Sequence, residues 1–307
     1  MLMVFSHTAL MLICALFIFH STAFASKVGF GHGKFNVGLT VGAFPNVDQR
    51  EAQAAMQLWT NQLALGMGIK AEPRTKLYSN SNELLHDVNN GELSVVSIPA
   101  LDYMQIRKSA RMSPVLVSAG NGGYRIRYLL VTRNDRGIKK IRDLRGRSLL
   151  LASRKMQSAS QLWLSVLMLR EGIVDPARFF SDIKESISPS KALMNVFFGK
   201  TDALIISRSA LETGISLNPQ IGGKLVILAE SCNLLGSVTC IPHNVSNELR
   251  RSIVEAALHL HETSIGRQMF TLFQMERTIP FKPSYLEGVE SLLRERDMLA
   301  ARLKKRK

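Results

Sequence analysis

The chain is predicted to be an α/β protein of two lobes, each a mostly parallel sheet flanked by helices, joined by two hinge crossings. Three observations predict this. From Phe35 onward, short apolar runs of strand length alternate with stretches of helical periodicity, as expected where helices link parallel strands. A helix–glycine–strand unit occurs in each half: Asn82 to Val96 turns at Gly91, and Ser190 to Leu204 turns at Gly199. Two glycine-rich segments, Ser118–Gly123 and Ile221–Gly223, lie where the chain would pass between lobes.

Taken in order, residues 1–25 contain no Lys, Arg, Asp or Glu, with an apolar core from Thr8 to Phe19 and a small-x-small site at Ala23-Phe24-Ala25. This predicts a cleaved secretory signal, although its N-terminal region has His7 in place of Lys or Arg. The apolar stretch is shorter than the roughly 20 residues that a spanning helix needs. Export therefore places the mature chain outside the cytoplasm, beginning at Ser26. The next strand is Phe35 to Val41, leading to a loop at Gly42-Ala43-Phe44-Pro45, and a helix follows from Asp48 to about Leu65. Lys76-Leu77-Tyr78 is a short strand and Ser81 to Val88 a helix closed at Asn90-Gly91, because glycine suits the left-handed backbone after a helix end. Leu93 to Ile98 is the next strand, and after the first crossing Tyr124 to Val131 resumes as another.

The second lobe opens on Leu149-Leu150-Leu151, a buried-strand run. It breaks into the polar loop Ala152 to Ser160, before helical spacing over Gln161 to Arg170. Ser158 and Ser160 sit where that helix begins. A helix start offers unpaired backbone N–H groups and a partial positive charge to an anionic oxygen, while serine is also a favoured N-cap in any helix. Past the second crossing, Lys224 to Ala229 runs back as a strand, and helices over Arg250–His261 and Tyr285–Lys304 pack on the first lobe. The expected division is a signal peptide over 1–25, a first lobe over 26–120 and 225–307, and a second lobe over 121–224.

Cys14 falls in the signal, so two of the three cysteines, Cys232 and Cys240, remain in the mature chain. An even pair eight apart in an oxidising compartment predicts a disulfide, the alternative being two buried thiols. The formal charge of +15 stays with the mature chain. Strong basicity suits nucleic acid, anionic membranes or small anions; export excludes nucleic acid. The rest is a surface field able to steer an anion.

The ordered landmarks Val37-Gly38-Leu39 with Phe44-Pro45, Asn90-Gly91-Glu92-Leu93, Ser97 to Tyr103, Ile141 to Arg147, the serine loop and Gly199 to Ala203 carry a resemblance. Together they resemble the phosphate/phosphite/phosphonate-binding proteins of ABC importers, a branch of the two-lobed (type II-like) periplasmic solute-binding fold, over about Phe35 to Gly288. The resemblance implies a non-catalytic, monomeric periplasmic receptor without cofactor or metal. It would close on a small oxyanion and deliver it to the membrane permease of an ABC importer, or report it to a membrane sensor such as a kinase or cyclase. The family's Ser-Thr-Ser-Gly anion loop falls on Ser158-Ala159-Ser160-Gln161, which keeps both outer hydroxyls. Its first-lobe tyrosine falls on Tyr103, and its first-loop aromatic on Phe44. Pro189 stands where the family has a histidine. An acid to recognise the amino group of aminoalkylphosphonates has no equivalent in Ile205 to Ser209.

Catalysis is not expected. No Gly-x-Ser-x-Gly elbow is present, Gly29 to Phe35 lacks the phosphate-loop spacing, and His259 and His261 lie on different faces of one helix.

Overall fold

A computed structural model describes residues 35–40, 49–69, 73–120, 123–152, 159–186, 188–273 and 275–305. The expected signal, Phe44 and Ser158 lie outside these described residues. The first stretch runs β1 (Asn36–Thr40), α1 (Gln49–Gly66), β2 (Arg74–Tyr78), α2 (Ser81–Asn89), β3 (Val95–Pro99), α3 (Ala100–Ile106) and β4 (Met112–Ala119). The chain crosses through β5 (Arg125–Ile126) to β6 (Tyr128–Arg133) and β7 (Ser148–Leu151). It continues through α4 (Ala159–Arg170), α5 (Pro176–Phe179), β8 (Asp182–Glu185), α6 (Pro189–Phe197), β9 (Ala203–Ser207), α7 (Arg208–Leu217), α8 (Gln220–Lys224) and β10 (Leu225–Glu230). It returns through β11 (Leu234–Leu235) to β12 (Ser237–Pro242), α9 (Asn247–His259), α10 (Ser264–Leu272), β13 (Arg277–Pro280) and α11 (Glu287–Lys304).

Two mixed sheets result, ordered β13-β4-β12-β3-β1-β2 and β10-β6-β9-β7-β8, with a two-stranded ribbon β11-β5 beside them. Each sheet carries one parallel trio. β1 lies between β2 and β3, and β7 lies between β8 and β9, all in parallel register. The echo between the halves is therefore topological: Val37 pairs with Val95 as Leu149 pairs with Ala203. Gly91 and Gly199 both take φ +74, the left-handed backbone that ends each helix before the third strand of its trio. Antiparallel strands complete each sheet, so neither is as parallel as the alternating pattern predicts.

The apolar residues that wrote the alternation fill three cores. Val37, Leu39, Leu116 and Ile241 face Met56, Leu63, Ile253 and Ala257 of α1 and α9. Leu129, Val131, Leu204 and Ile206 face Ala192, Leu193, Val196 and Phe197 of α6. The largest cluster joins the sheets, bringing Ile98 and Val238 together with Leu149, Trp163, Val289 and Leu292.

Three expectations need correction. Leu225–Glu230 does not return to the first sheet but pairs antiparallel with β6 of the second, and the first sheet is regained only at β12. Strand formation over Tyr124 to Val131 breaks at Arg127, because β5 pairs away with β11. The final helix packs on both halves: Arg107 of α3 donates to Glu290 at 2.7 Å, and Arg170 of α4 grips Glu295 through two bonds of 2.7 and 2.8 Å. A Cβ at Gly288 would sit 2.0 Å from the Asn233 carbonyl oxygen, so only glycine lets α11 approach the returning chain this closely.

The expected Cys232–Cys240 bridge is not formed; both are free thiols. Cys240 is buried in β12 within the joint core, while Cys232 is exposed, its Sγ 4.0 Å from the Gly288 carbonyl on the α11 side. Burial pushes both thiols above the ordinary cysteine pKa, Cys240 far above it.

Candidate functional site

In open α/β sheets the carboxyl ends of parallel strands leave helix N-termini and loops free to meet a ligand. Two such edges occur here, one per trio. On the second sheet, β7 ends at Leu151 and α4 begins at Ala159, two residues earlier than the sequence periodicity indicates. Ser160 is 1% exposed and not without a partner, and eight of the helix's twelve residues are buried. A helix so embedded keeps its first-turn N–H groups fixed at the strand end. Ala159 and Ser160 thus occupy the strand–loop–helix position read from sequence.

On the first sheet, β3 passes directly into α3, which places Tyr103 7% exposed beneath the helix. Burial raises the pKa of its phenol, Cys240 adds to the rise and Arg107 opposes it. With its pKa raised, the phenol is a neutral donor at physiological pH. Tyr103 and Ser160 thus belong to different sheets, on helices α3 and α4, and α11 braces both helices through the Arg107–Glu290 and Arg170–Glu295 pairs.

The departure at Pro189 has a local physical cause. Pro189 is the first residue of α6, where a missing N–H costs nothing, and the Ser188 hydroxyl caps the helix by accepting from Lys191 N at 3.3 Å. The same edge carries charges that sequence reasoning passes over. Arg208, opening α7, donates to Glu230 at 3.0 Å, and Arg127 reaches the same carboxylate at 2.9 Å. Arg208 also pairs with Glu212 at 3.5 Å, so two guanidiniums meet two acids at this corner. The Arg208 contact, first, and then Arg127 hold Glu230 below the usual carboxylate range. No sequence spacing signals the cluster, because Arg127 before β6, Arg208 opening α7 and Glu230 ending β10 are brought together only by the folded sheet.

On the first edge, sequence reasoning also passes over Thr40, Ser81 and Asp102. The Thr40 hydroxyl and Asp102 Oδ1 are buried without a hydrogen-bond partner. Burial raises the Asp102 pKa, and Ser81 opposes the rise. His259 pairs with Glu262 at 2.8 Å, consistent with a surface ion pair in place of a metal ligand. Among the described residues no helix is long and apolar enough to cross a membrane.

A family model for the periplasmic substrate-binding proteins of phosphonate ABC transporters matches residues 41–286. No match was found among curated protein sequences. Among solved structures, the chain is similar to XAC2383 from Xanthomonas citri bound to chloride, at 15% identity and a TM-score of 0.64, covering 87% of this chain and 99% of that one. It is similar to a binding protein component of the Pseudomonas aeruginosa ABC phosphonate transporter, at 11% identity and 0.63, covering 89% of each chain. It is also similar to PhnD1 from Prochlorococcus marinus in complex with methylphosphonate, at 14% identity and 0.61, covering 85% and 97%. At such identities these structures show the fold: a two-lobed periplasmic binding protein.

Proposed function

Because the chain belongs to the periplasmic substrate-binding proteins of phosphonate ABC transporters, we propose that it captures a small phosphonate-like oxyanion between its two sheets, acting as two lobes, and presents it to an importer permease. Phosphate, phosphite and alkylphosphonates form the ligand class. The binding groups are Ser158, Ser160 and the N–H groups of Ala159 and Ser160 on one side, Tyr103 on the other, with Phe44 walling the pocket. The protein acts as a monomer without a cofactor, exported by cleavage after Ala25, and does no chemistry on its solute.

The observation that carries this reading is the start of α4 at the carboxyl end of β7, inside the matched family segment. There, N–H donors and a buried serine meet the positive end of a twelve-residue helix. The first turn of α7, where Arg208 and Ser209 stand, carries no acid, which supports a solute without an amino group. A thermal-shift screen with phosphate, phosphite and alkylphosphonates tests the proposal. A true ligand at a hundred times its dissociation constant stabilises the fold by about 2.7 kcal/mol. No shift with any of these anions would remove the proposal.

A further inference from the structure

The second sheet has two poles, and the proposed solute site lies at only one of them. β6 runs antiparallel to β9 and β10, and β7 runs parallel to β9. Thr132 stands beside Ala203, Arg133 beside Leu225, and Leu149 beside Ala203. The end of β6 and the starts of β7, β9 and β10 therefore meet at one pole, opposite the carboxyl end of β7. Side chains tie the connections there together. Arg133 Nη1 donates to the Phe197 carbonyl at 2.8 Å, Arg136 Nη2 to the Gly199 carbonyl at 2.9 Å, and Asn134 Nδ2 to the Gly223 carbonyl at 2.8 Å.

The connections 134–147, 198–202 and 218–224 make this pole strongly basic. Their acids are all engaged. Asp135 pairs with Arg133, Asp202 lies 3.8 Å from Arg147, and Asp143 accepts from the backbone N–H groups of Lys139 and Lys140 at 3.0 and 3.1 Å. Arg136, Lys139, Lys140, Arg145, Lys200 and Lys224 are exposed and make no ion pair among the described residues. An apolar ring stands with these cations. Phe198, where α6 ends, is 63% exposed, its ring 5.2 Å from that of Phe197, and Lys224 Nζ lies 4.8 Å from the Phe197 ring centre. An exposed aromatic beside unpaired cations suits an anionic bilayer: the ring enters the headgroup layer while the cations meet lipid phosphates. Duplex DNA offers the same phosphates without an apolar layer for the ring.

We propose that this pole of the second sheet is a docking surface for an anionic phospholipid bilayer, with Phe198 entering the interface and Lys139, Lys140, Arg145, Lys200 and Lys224 contacting headgroup phosphates. This goes beyond the oxyanion reading and does not depend on it. The surface stands apart from the proposed oxyanion site, because the four residues of β7, about 13 Å, separate the pole from the loop before α4. A chain held this way keeps its solute edge free while being concentrated beside the membrane. Each cation near such a surface contributes modestly, so the binding is reversible and falls steeply with salt.

Co-sedimentation of protein recovered from the cell envelope, with vesicles of phosphatidylcholine alone or mixed equally with phosphatidylglycerol, tests the proposal. Wild type should bind the anionic vesicles at least tenfold more tightly than the neutral ones, and high salt should abolish the difference. The Lys139→Gln, Lys200→Gln, Lys224→Gln triple variant should lose at least tenfold and Phe198→Ser severalfold, with melting temperatures showing that both fold. Lys304→Gln with Lys305→Gln, which removes charge from the end of α11, should bind nearly as wild type does. Equal binding to both vesicle types, or a triple variant that binds as wild type, overturns the proposal. An equal loss in the α11 variant also overturns it, since net charge alone would then be the cause. Phe198→Ser binding as wild type overturns the insertion of the ring. Duplex DNA binding more tightly than the anionic vesicles, at equal phosphate concentration, overturns the bilayer as the occupant. Methylphosphonate should release no more protein than sodium chloride of equal ionic strength. Specific release by methylphosphonate would put the lipid phosphate in the oxyanion site and overturn the pole.

Discussion

Asp87 of α2 accepts from Lys76 Nζ and from the Tyr78 hydroxyl, each at 2.6 Å, so one carboxylate ties the helix to β2. The Lys76 contact, then the Tyr78 contact, lower its pKa to about 2. A folded-state pKa below the unfolded value of about 3.9 means the stability is present above that value and is lost as pH falls through about 2. Asp87→Asn is therefore expected to destabilise the protein at neutral pH, by about 1.5–3 kcal/mol for a hydrogen-bonded charge. Denaturant unfolding from pH 7 to pH 2 should show the two proteins converging; a constant difference would remove the ion-pair explanation. At this scale the sequence is partly legible. Ser160 is visible because strand, loop and helix signals are contiguous around it. Asp102 and Thr40 are not, because what singles them out is the lack of a partner, and that exists only once α2, α3 and β1 have met.

Among the elements, the glycine-closed helices and parallel trios are legible because their signals are local: a helix stripe, a left-handed glycine and an apolar run. The partners of β10 and β12 are not, since an apolar six-residue run carries no mark of the sheet it will join. α11 is legible as a helix but not as a brace, because the residues it meets on α3 and α4 are remote in sequence. Its apolar anchors and its ion pairs should weigh very differently. Leu292 is buried in the joint core, so Leu292→Ala is expected to cost about 2–5 kcal/mol. The Arg170–Glu295 pair is partly exposed, so Glu295→Gln should cost less than about 1 kcal/mol. Urea unfolding of both variants checks the order; a larger loss for Glu295→Gln would show that charge, not packing, holds the helix.

For the whole molecule, two sheets that each carry a parallel trio share one core and one bracing helix. The formal charge of +15 adds a long-range field that attracts anions to the molecule. The proposed export also concerns the whole chain. The uncharged segment 1–25 and Ala23-Phe24-Ala25 predict that protein from the cell envelope begins at Ser26 on N-terminal sequencing, and an intact Met1 would contradict this. The central claim, that the α4 start and its serines bind a phosphonate-like oxyanion, is tested most directly by titration calorimetry. Wild type is compared with the Ser158→Ala, Ser160→Ala double variant, using the anion that gives the largest thermal shift. Charge-assisted hydrogen bonds of about 1.5–3 kcal/mol each predict at least a tens-fold loss of affinity in a variant that still folds. Undiminished affinity, with stability lower by about 1 kcal/mol, would show that the serines only cap the helix and would contradict the account.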